Sequence, residues 1–426
     1  MSTQKKGFIS LLQEFSIPLI AGVFAALLAA NLAPEWYHSW FGAGHGDGIK
    51  EIPGHFTIFG HYLTANFLIN DIFMVFFFGI AAKEITEATL PGGSLNPLKK
   101  AINPLFATAG GVLGPVGFFF GALYLAFQAG LFPEGTELAP LQKGWGIPTA
   151  TDIALAWLVA RAVFGKGHPA INFLLLLAVA DDAVGLGIIA IFYGDPLHPA
   201  QPQWLGLVVA GMAVAFAMRK MNVKSWIPYI AVAGPLAWSG LILAYLHPAL
   251  ALVFIVPFLP GPKRDTGMFI ADDEQDEAED HGQPHGEHSP LHNFEHQLKL
   301  FVDFGLFFFA LGNAGVLLGG IGPMTWIILG SLIIGKTVGI TGTAWLGAKL
   351  GFPLPDRMGM RDVVMAGFVA ALGLTVALFV SGAAFPDDAV MQGQAKMGAL
   401  FSGFVGIAAV VLGRMLGFGK SKDPED

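Results

Sequence analysis

Long apolar runs, broken by short polar segments, organise this chain from residue 15 to residue 415. A helix needs about 20 apolar residues to cross a hydrocarbon core. The runs at 15–33, 64–82, 103–128, 145–164, 169–193, 204–218, 227–240, 241–260, 300–319, 324–348, 362–384 and 397–415 meet or approach that length. They predict an all-α polytopic membrane protein of about twelve transmembrane helices. The seventh and eighth runs meet near Trp238-Ser239, where the count is open to error. The first run follows Lys5 and Lys6 but lacks a nearby A-x-A cleavage pattern, so it reads as a membrane helix rather than a cleaved signal.

Basic residues orient these spans. The chain has 23 Lys and Arg. With the N-terminus inside, three of them (Lys50, Lys143, Lys396) fall outside and one, Lys336, falls within a span. All the others fall on the cytoplasmic side, so the positive-inside rule places both termini in the cytoplasm. Composition agrees with this class: 54% of residues are hydrophobic and only 13% charged, where a soluble protein carries about 25% charged residues. Cysteine is absent, which excludes disulfides, thiol catalysis and thiolate metal sites. The net charge of -8 comes largely from one loop, where Asp272, Asp273, Glu274, Asp276, Glu277, Glu279, Asp280 and Glu287 crowd together.

No soluble domain is expected. Residues 1–426 read as a single integral membrane domain, with 1–14 and 416–426 as cytoplasmic ends and 261–299 as an acidic, histidine-rich cytoplasmic loop. The stretch Gly261–His296 carries His281, His285, His288, His292 and His296, but these lie in low-complexity sequence without a packed frame and read as solvated. The connection Pro34–Leu63 is longer than a turn needs, and its alternating segments Ile49–Ile52 and His55–Gly60 allow a short hairpin at a dimer contact.

Candidate chemistry lies within the spans. Asp181-Asp182 sits inside the apolar run Ile171–Tyr193. A carboxylate at the centre of a membrane helix costs roughly 2.5–3.5 kcal/mol on insertion scales, so a doubled one calls for a use. Adjacent helical residues point about 100° apart. One carboxylate can therefore line a cation cavity while the other meets a partner on a neighbouring helix. Lys336, about ten residues from either end of its span, cannot snorkel to an interface. It is either a structural counter-ion or a charge whose pairing changes, and Asp181 or Asp152 is its natural partner.

The fourth span opens Gly144-Trp-Gly-Ile-Pro-Thr-Ala-Thr-Asp152. Pro148 cannot donate a backbone hydrogen bond and biases Ile147 away from helical geometry. That composition predicts a discontinuous helix facing a midplane ion site. Asp152 then either balances a positive half-helix end or caps an ordinary helix start. Gly367, Gly373 and Thr375 offer a comparable weak point in the eleventh span. Asp71, Asp303 and Asn313 read as cap, interfacial group and helix glue, and His247 as an outer turn residue open to protonation.

Four segments, GWGIPTATDIA (144–154), LLLLAVADDAVG (174–185), ALGNAGV (310–316) and IIGKTVGI (333–340), together resemble the NhaA-type sodium/proton antiporters. The resemblance runs from about residue 60 to 415. It implies an inverted-repeat antiporter fold in which discontinuous spans 4 and 11 cross. It also implies Asp182 as the main cation and proton carrier, Asp181 paired with Lys336 when the cation is absent, and Thr151 and Asp152 lining the crossing. Sodium bound at Asp181 and Asp182 is the cargo, and no cofactor is implied. The chain is then not an enzyme. The resemblance further implies a homodimer in a bacterial inner membrane that expels sodium or lithium against inward protons, serving sodium and pH homeostasis. Its partners are those ions and the bilayer, with no nucleic acid.

One departure concerns pH control. Where family members carry a dense charge cluster, this chain reads Gly79-Ile-Ala-Ala-Lys83-Glu84-Ile-Thr-Glu87, with alanine in place of an acid. Glu84 and His247 are the candidates for a pH response, and the set-point is not carried over. The rival transport reading is a sodium-coupled solute symporter on a related fold. An intramembrane aspartyl protease is disfavoured, because the string Gly44-His-Gly-Asp47 lies in a polar outer loop.

Overall fold

A computed structural model describes residues 16–41, 50, 57–90, 93, 95, 98–194, 198–261 and 289–419. The chain is predominantly helical. Among the described residues, six helices are long and apolar enough to cross a membrane: Ala65–Thr89, Ala101–Gln128, Pro169–Phe192, Pro202–Lys220, Pro323–Lys349 and Ala389–Met415. A seventh span is possible if Leu138–Thr149 and Ile153–Phe164, bent by 51° across a short break, are counted as one. Ile17–Leu32, Tyr229–Leu243, Pro248–Phe258 and Thr375–Ala384 are apolar but shorter. The acids Asp272–Glu287, the histidines His281, His285 and His288, and the start of the 49–60 stretch lie outside the described residues. A two-strand hairpin pairs Thr57 with Tyr62 and Ile58 with His61.

Two compact units divide the chain. Met1–Asn70, Ile102–Tyr193 and Asp303–Asp426 form one, while Asp71–Ala101 and Gly194–Val302 form the other. The core of the first unit gathers around Ala156, Ala160, Leu174, Leu177, Ile340 and Val369. Small residues bring its helices together. Gly110 and Gly114 of Leu98–Gln128 face Gly335 and Gly339 of Pro323–Lys349. A Cβ added at Gly339 would meet the Gly110 carbonyl and stand 3.0 Å from the Gly114 Cα. In lipid, where neighbouring helices gain little from hydrophobic burial, such close backbone approach is a main source of association.

Two element boundaries differ from the hydropathy pattern. The ninth run is apolar over 300–319, yet its helix spans Pro290–Asn313. Its polar first turns remain helical because backbone hydrogen bonding does not depend on lipid exposure. Its end is fixed by side chains: Tyr37 donates to the Leu311 carbonyl and accepts from Gly315 N–H, while Asn31 donates to the Val316 carbonyl and accepts from Leu318 N–H. A Cβ at Gly315 would collide with the Tyr37 ring, which explains the glycine there. The twelfth run also begins late. Its helix starts at Ala389, capped by Asp388, so Lys396, read from the pattern as an outer-loop residue, lies inside the helix and is only 9% exposed.

In the second unit, Lys83 is buried and meets three carboxylates, those of Glu84, Glu87 and Glu295. Glu87 is one helical turn from Lys83, and Glu295 comes from Pro290–Asn313. Two of these three carboxylates belong to segment 79–87 itself, and the third reaches Lys83 from another helix. His247 Nδ1 lies 3.9 Å from Asp71 Oδ1, and Trp238 donates to the Asp71 carbonyl.

The glycine contact gives a direct test. Gly339→Ala inserts a methyl where there is no room, so stability should fall by about 1–3 kcal/mol, as for overpacked cores. A lower melting temperature of the purified protein checks it; an unchanged one would mean that the two helices have slack at this crossing.

Candidate functional site

The site grows from two chain interruptions. The first separates Ile153–Phe164 from the preceding turn Lys143–Thr149, which holds Pro148. Proline removes a donor and constrains its predecessor, and Ala150 and Asp152 adopt extended conformations that end one helix and start the next. Tyr193 anchors this turn by donating to the Lys143 carbonyl at 2.6 Å and accepting from Gly146 N–H at 2.9 Å. The second interruption, residues 370–374, separates Met360–Val369 from Thr375–Ala384.

Hydrogen bonds join the two interruptions. Asp152 N–H donates to the Leu372 carbonyl at 2.6 Å, and the Thr151 hydroxyl donates to the Ala370 carbonyl at 3.2 Å. The Asp152 carboxylate serves both following helices. Its Oδ1 accepts from Leu155 N–H at 3.1 Å, and its Oδ2 accepts from the Thr375 N–H at 3.3 Å and hydroxyl at 3.0 Å. Each helix N-terminus carries about +0.5 charge. One buried carboxylate, 4% exposed, therefore answers two positive helix ends and satisfies donors that would otherwise be orphaned.

Beside this junction lies the ion pair. Lys336 and Asp181 are both 0% exposed. Lys336 Nζ is 3.1 Å from Asp181 Oδ2 and donates to the Thr149 carbonyl at 2.8 Å. The Thr151 hydroxyl lies 3.1 Å from the same Oδ2, so its one proton is shared between this carboxylate and the Ala370 carbonyl. A π-helical turn, Ser331–Gly335, immediately precedes Lys336; such insertions recur where a helix re-aims a functional side chain. Gly111 lets the backbone of Leu98–Gln128 approach, because a Cβ there would stand 3.2 Å from Asp181 Oδ1.

Asp182 points elsewhere, as adjacent helical positions must. It is half-buried, its neighbour Val184 is exposed, and it lies within electrostatic reach of Asp181, Lys336 and Asp152. The Oδ1 atoms of both Asp181 and Asp182 are buried and accept no hydrogen bond among the described residues. Two such oxygens, one beside a fixed ammonium and one on a side chain with partial access, make a place where a hard cation or a proton would find acceptors. Buried polar atoms are seldom left unsatisfied without a functional reason.

The structure therefore brings Thr151, Asp152, Asp181 and Lys336 together, with Asp182 beside them. Glu84 and His247 belong to the other unit. Sequence reasoning missed the Thr149 carbonyl as the second partner of Lys336, because a carbonyl has no sequence signature. It also missed the Thr375–Asp152 bond and Ser402, whose hydroxyl accepts from Gly373 N–H at 3.3 Å. A threonine just after a glycine break was the one available signal for the former.

Comparison with known proteins identifies the family. The family described as Na+/H+ antiporter 1 matches residues 7–416. The chain is 55% identical to the Na(+)/H(+) antiporter NhaA of Geobacter sulfurreducens over 96% of this chain and 97% of that protein. It is 54% identical to the NhaA of Desulfitobacterium hafniense over the full length of both. A more distant relative, the NhaA of Jannaschia sp., is 41% identical over 94% of this chain and 96% of its own. By this match and these identities the chain belongs to the Na+/H+ antiporter 1 family of multi-pass membrane transporters.

Proposed function

We propose that this protein exchanges cytoplasmic sodium, or lithium, for protons entering from outside, and so sustains sodium and pH homeostasis across a bacterial inner membrane. The observation that carries this reading is the fully buried Lys336–Asp181 pair next to a half-buried Asp182 whose Oδ1 lacks a hydrogen-bond partner. Asp182 is the carrier. It binds sodium together with Asp181 and oxygens near Thr151, since sodium prefers oxygen ligands.

Burial disfavours an ionised carboxylate and a bound cation favours it. Sodium and protons thus compete for the same oxygens. When sodium enters, Asp181 is drawn toward it and Lys336 loses its partner; when sodium leaves, the pair re-forms or protons take its place. Alternating access converts this competition into exchange: the site loads sodium facing the cytoplasm, releases it outside, and returns protonated. Asp152 holds the two helix breaks together while the neighbouring carboxylates change state. The breaks are those of two discontinuous membrane helices that cross at the site, within a bundle of about twelve spans. Both termini face the cytoplasm, as the distribution of basic residues requires, and the working form is a homodimer. Glu84 and His247 modulate the response to pH rather than bind the cargo.

Asp182→Asn keeps the shape of the side chain and removes its charge. Folding should survive, while sodium-driven pH change in proteoliposomes should disappear. Substantial residual exchange in that variant would remove Asp182 from the carrier role. Proton movement that also demanded a co-transported solute would replace exchange with symport.

Lys336 is tested by stability. Removing one member of a buried pair strands the other, at a cost of about 3–5 kcal/mol. Lys336→Ala should therefore melt well below the parent protein, and Asp181→Asn combined with Lys336→Gln should recover much of the loss. If Lys336 carries a proton during exchange, the double variant should move less net charge per cycle on a supported membrane. Restored stability with unchanged charge movement would leave Lys336 as a structural counter-ion and the protons to the carboxylates alone.

A further inference from the structure

Four basic residues gather where Ile153–Phe164, Met360–Val369 and Ala389–Met415 meet, all within the first unit. The Arg361 guanidinium lies over the Phe418 ring at 4.6 Å and donates to the Leu416 carbonyl. Phe418 in turn sets its edge against Phe164 at 5.5 Å. One turn before Phe164, the Arg161 guanidinium covers the Trp157 ring at 4.4 Å. Lys166 and Arg414 are exposed and form no ion pair among the described residues. Val163 packs against Gly413, and a Cβ at Gly165 would stand 3.9 Å from the Gly419 Cα, so these segments are in contact. Asp362, next to Arg361 in sequence, accepts from Gly359 N–H at 2.7 Å.

Below this cluster runs an apolar stripe. Phe404, Ile407, Val411 and Met415 are spaced by three or four residues along Ala389–Met415 and are between 51% and 76% exposed. That spacing places them on one helix face, which leads directly to Arg414 and the Arg361–Leu416 contact.

We infer that this junction is a specific site for an anionic phospholipid, whose phosphate sits among Arg361, Arg414, Arg161 and Lys166 and whose acyl chain lies along the Phe404–Met415 stripe. Guanidinium is weakly hydrated, stacks on aromatic faces and presents a fork of donors that matches phosphate. Ring-backed arginines meet a headgroup with little loss of side-chain freedom. The adjoining hydrocarbon-length stripe selects a lipid over a free phosphate or a nucleic acid. The site rests on the membrane orientation proposed above, in which this end faces the anionic cytoplasmic leaflet.

The test is lipid retention. Purified full-length protein is offered phosphatidylglycerol and phosphatidylcholine with identical chains, and the lipids retained are counted by native mass spectrometry. Each basic residue near an anionic surface contributes about fivefold in binding. The parent should retain phosphatidylglycerol preferentially, Arg414→Gln should reduce that preference about fivefold, and Arg361→Gln with Arg414→Gln about 30-fold. Should the double variant melt early, through loss of the Leu416 contact, Arg414→Gln alone decides. Lys220→Gln is the control, since Lys220 is likewise set over a ring, Phe216, at 5.4 Å, but belongs to the other unit. It should leave the preference unchanged. An equal drop in Lys220→Gln would mean general surface charge, and displacement of the lipid by glycerol phosphate would mean a phosphate site without a lipid; either result overturns the inference. Asp182→Asn separates the two readings, because it should abolish exchange and keep the lipid preference.

Discussion

A lysine ammonium with no exposure to solvent must find every acceptor it needs inside the protein, and much of the first unit answers that demand at Lys336. An uncompensated charge at this depth would be several kcal/mol out of balance. Asp181 supplies the counter-charge and the Thr149 carbonyl supplies a second acceptor. A carbonyl inside a continuous helix is already engaged by the N–H four residues on. Thr149 can accept from Lys336 because the helix stops there, at the proline-containing turn. The broken helix is thus a source of acceptors for the buried cation as well as a change of direction.

That solution creates a second requirement. A helix that restarts at Ile153, and another that restarts at Thr375, each present unpaired N–H groups and a partial positive charge inside the membrane. Asp152 meets both with a single carboxylate. Its role is distinct from that of Asp181 and Asp182. Asp152 spends its oxygens on the protein's own backbone, whereas Asp181 and Asp182 each keep a buried oxygen unengaged. Three aspartates in one apolar region therefore divide into one that stabilises helix ends and two that each keep an oxygen free of the protein's own donors. The proposed exchange depends on that division, since a carboxylate already saturated by backbone donors has little to offer a sodium ion.

How much of this was legible in the sequence depends on the kind of signal each feature leaves. Asp181-Asp182 and Lys336 stand out because charge in an apolar run is costly, and Thr151 and Asp152 because Pro148 marks a break beside them. The Asp152–Thr375 bond joins positions 223 residues apart, and no local pattern records such pairing. The Thr149 carbonyl is invisible for a different reason, as every residue has one. The ninth and twelfth helices both start earlier than their apolar runs. Hydropathy registers what faces lipid, whereas helices extend until a cap or a competing donor stops them. Hence Ala389–Met415 begins at the Asp388 cap and takes Lys396 into the helix, and Pro290–Asn313 reaches back through polar residues and stops where Tyr37 captures the Leu311 carbonyl and Asn31 holds the chain just beyond, at Val316.

The Lys83 cluster carries the same lesson about sequence departures. Read along the chain, alanine at positions 81 and 82 removes an acid from a segment where charge is expected. Read in space, Lys83 still has three carboxylates around it, because Glu87 follows one turn later and Glu295 approaches from another helix. A buried ammonium constrains the sum of its neighbours, not the identity of any one position. The alanines at 81 and 82 therefore leave the lysine paired, because these three carboxylates meet it in space. The charge balance is kept while its geometry changes, and geometry sets how strongly each carboxylate holds its proton. The Lys83 cluster and the Lys336–Asp181 pair thus follow one rule, that a buried ammonium is held by whichever helices bring acceptors to it.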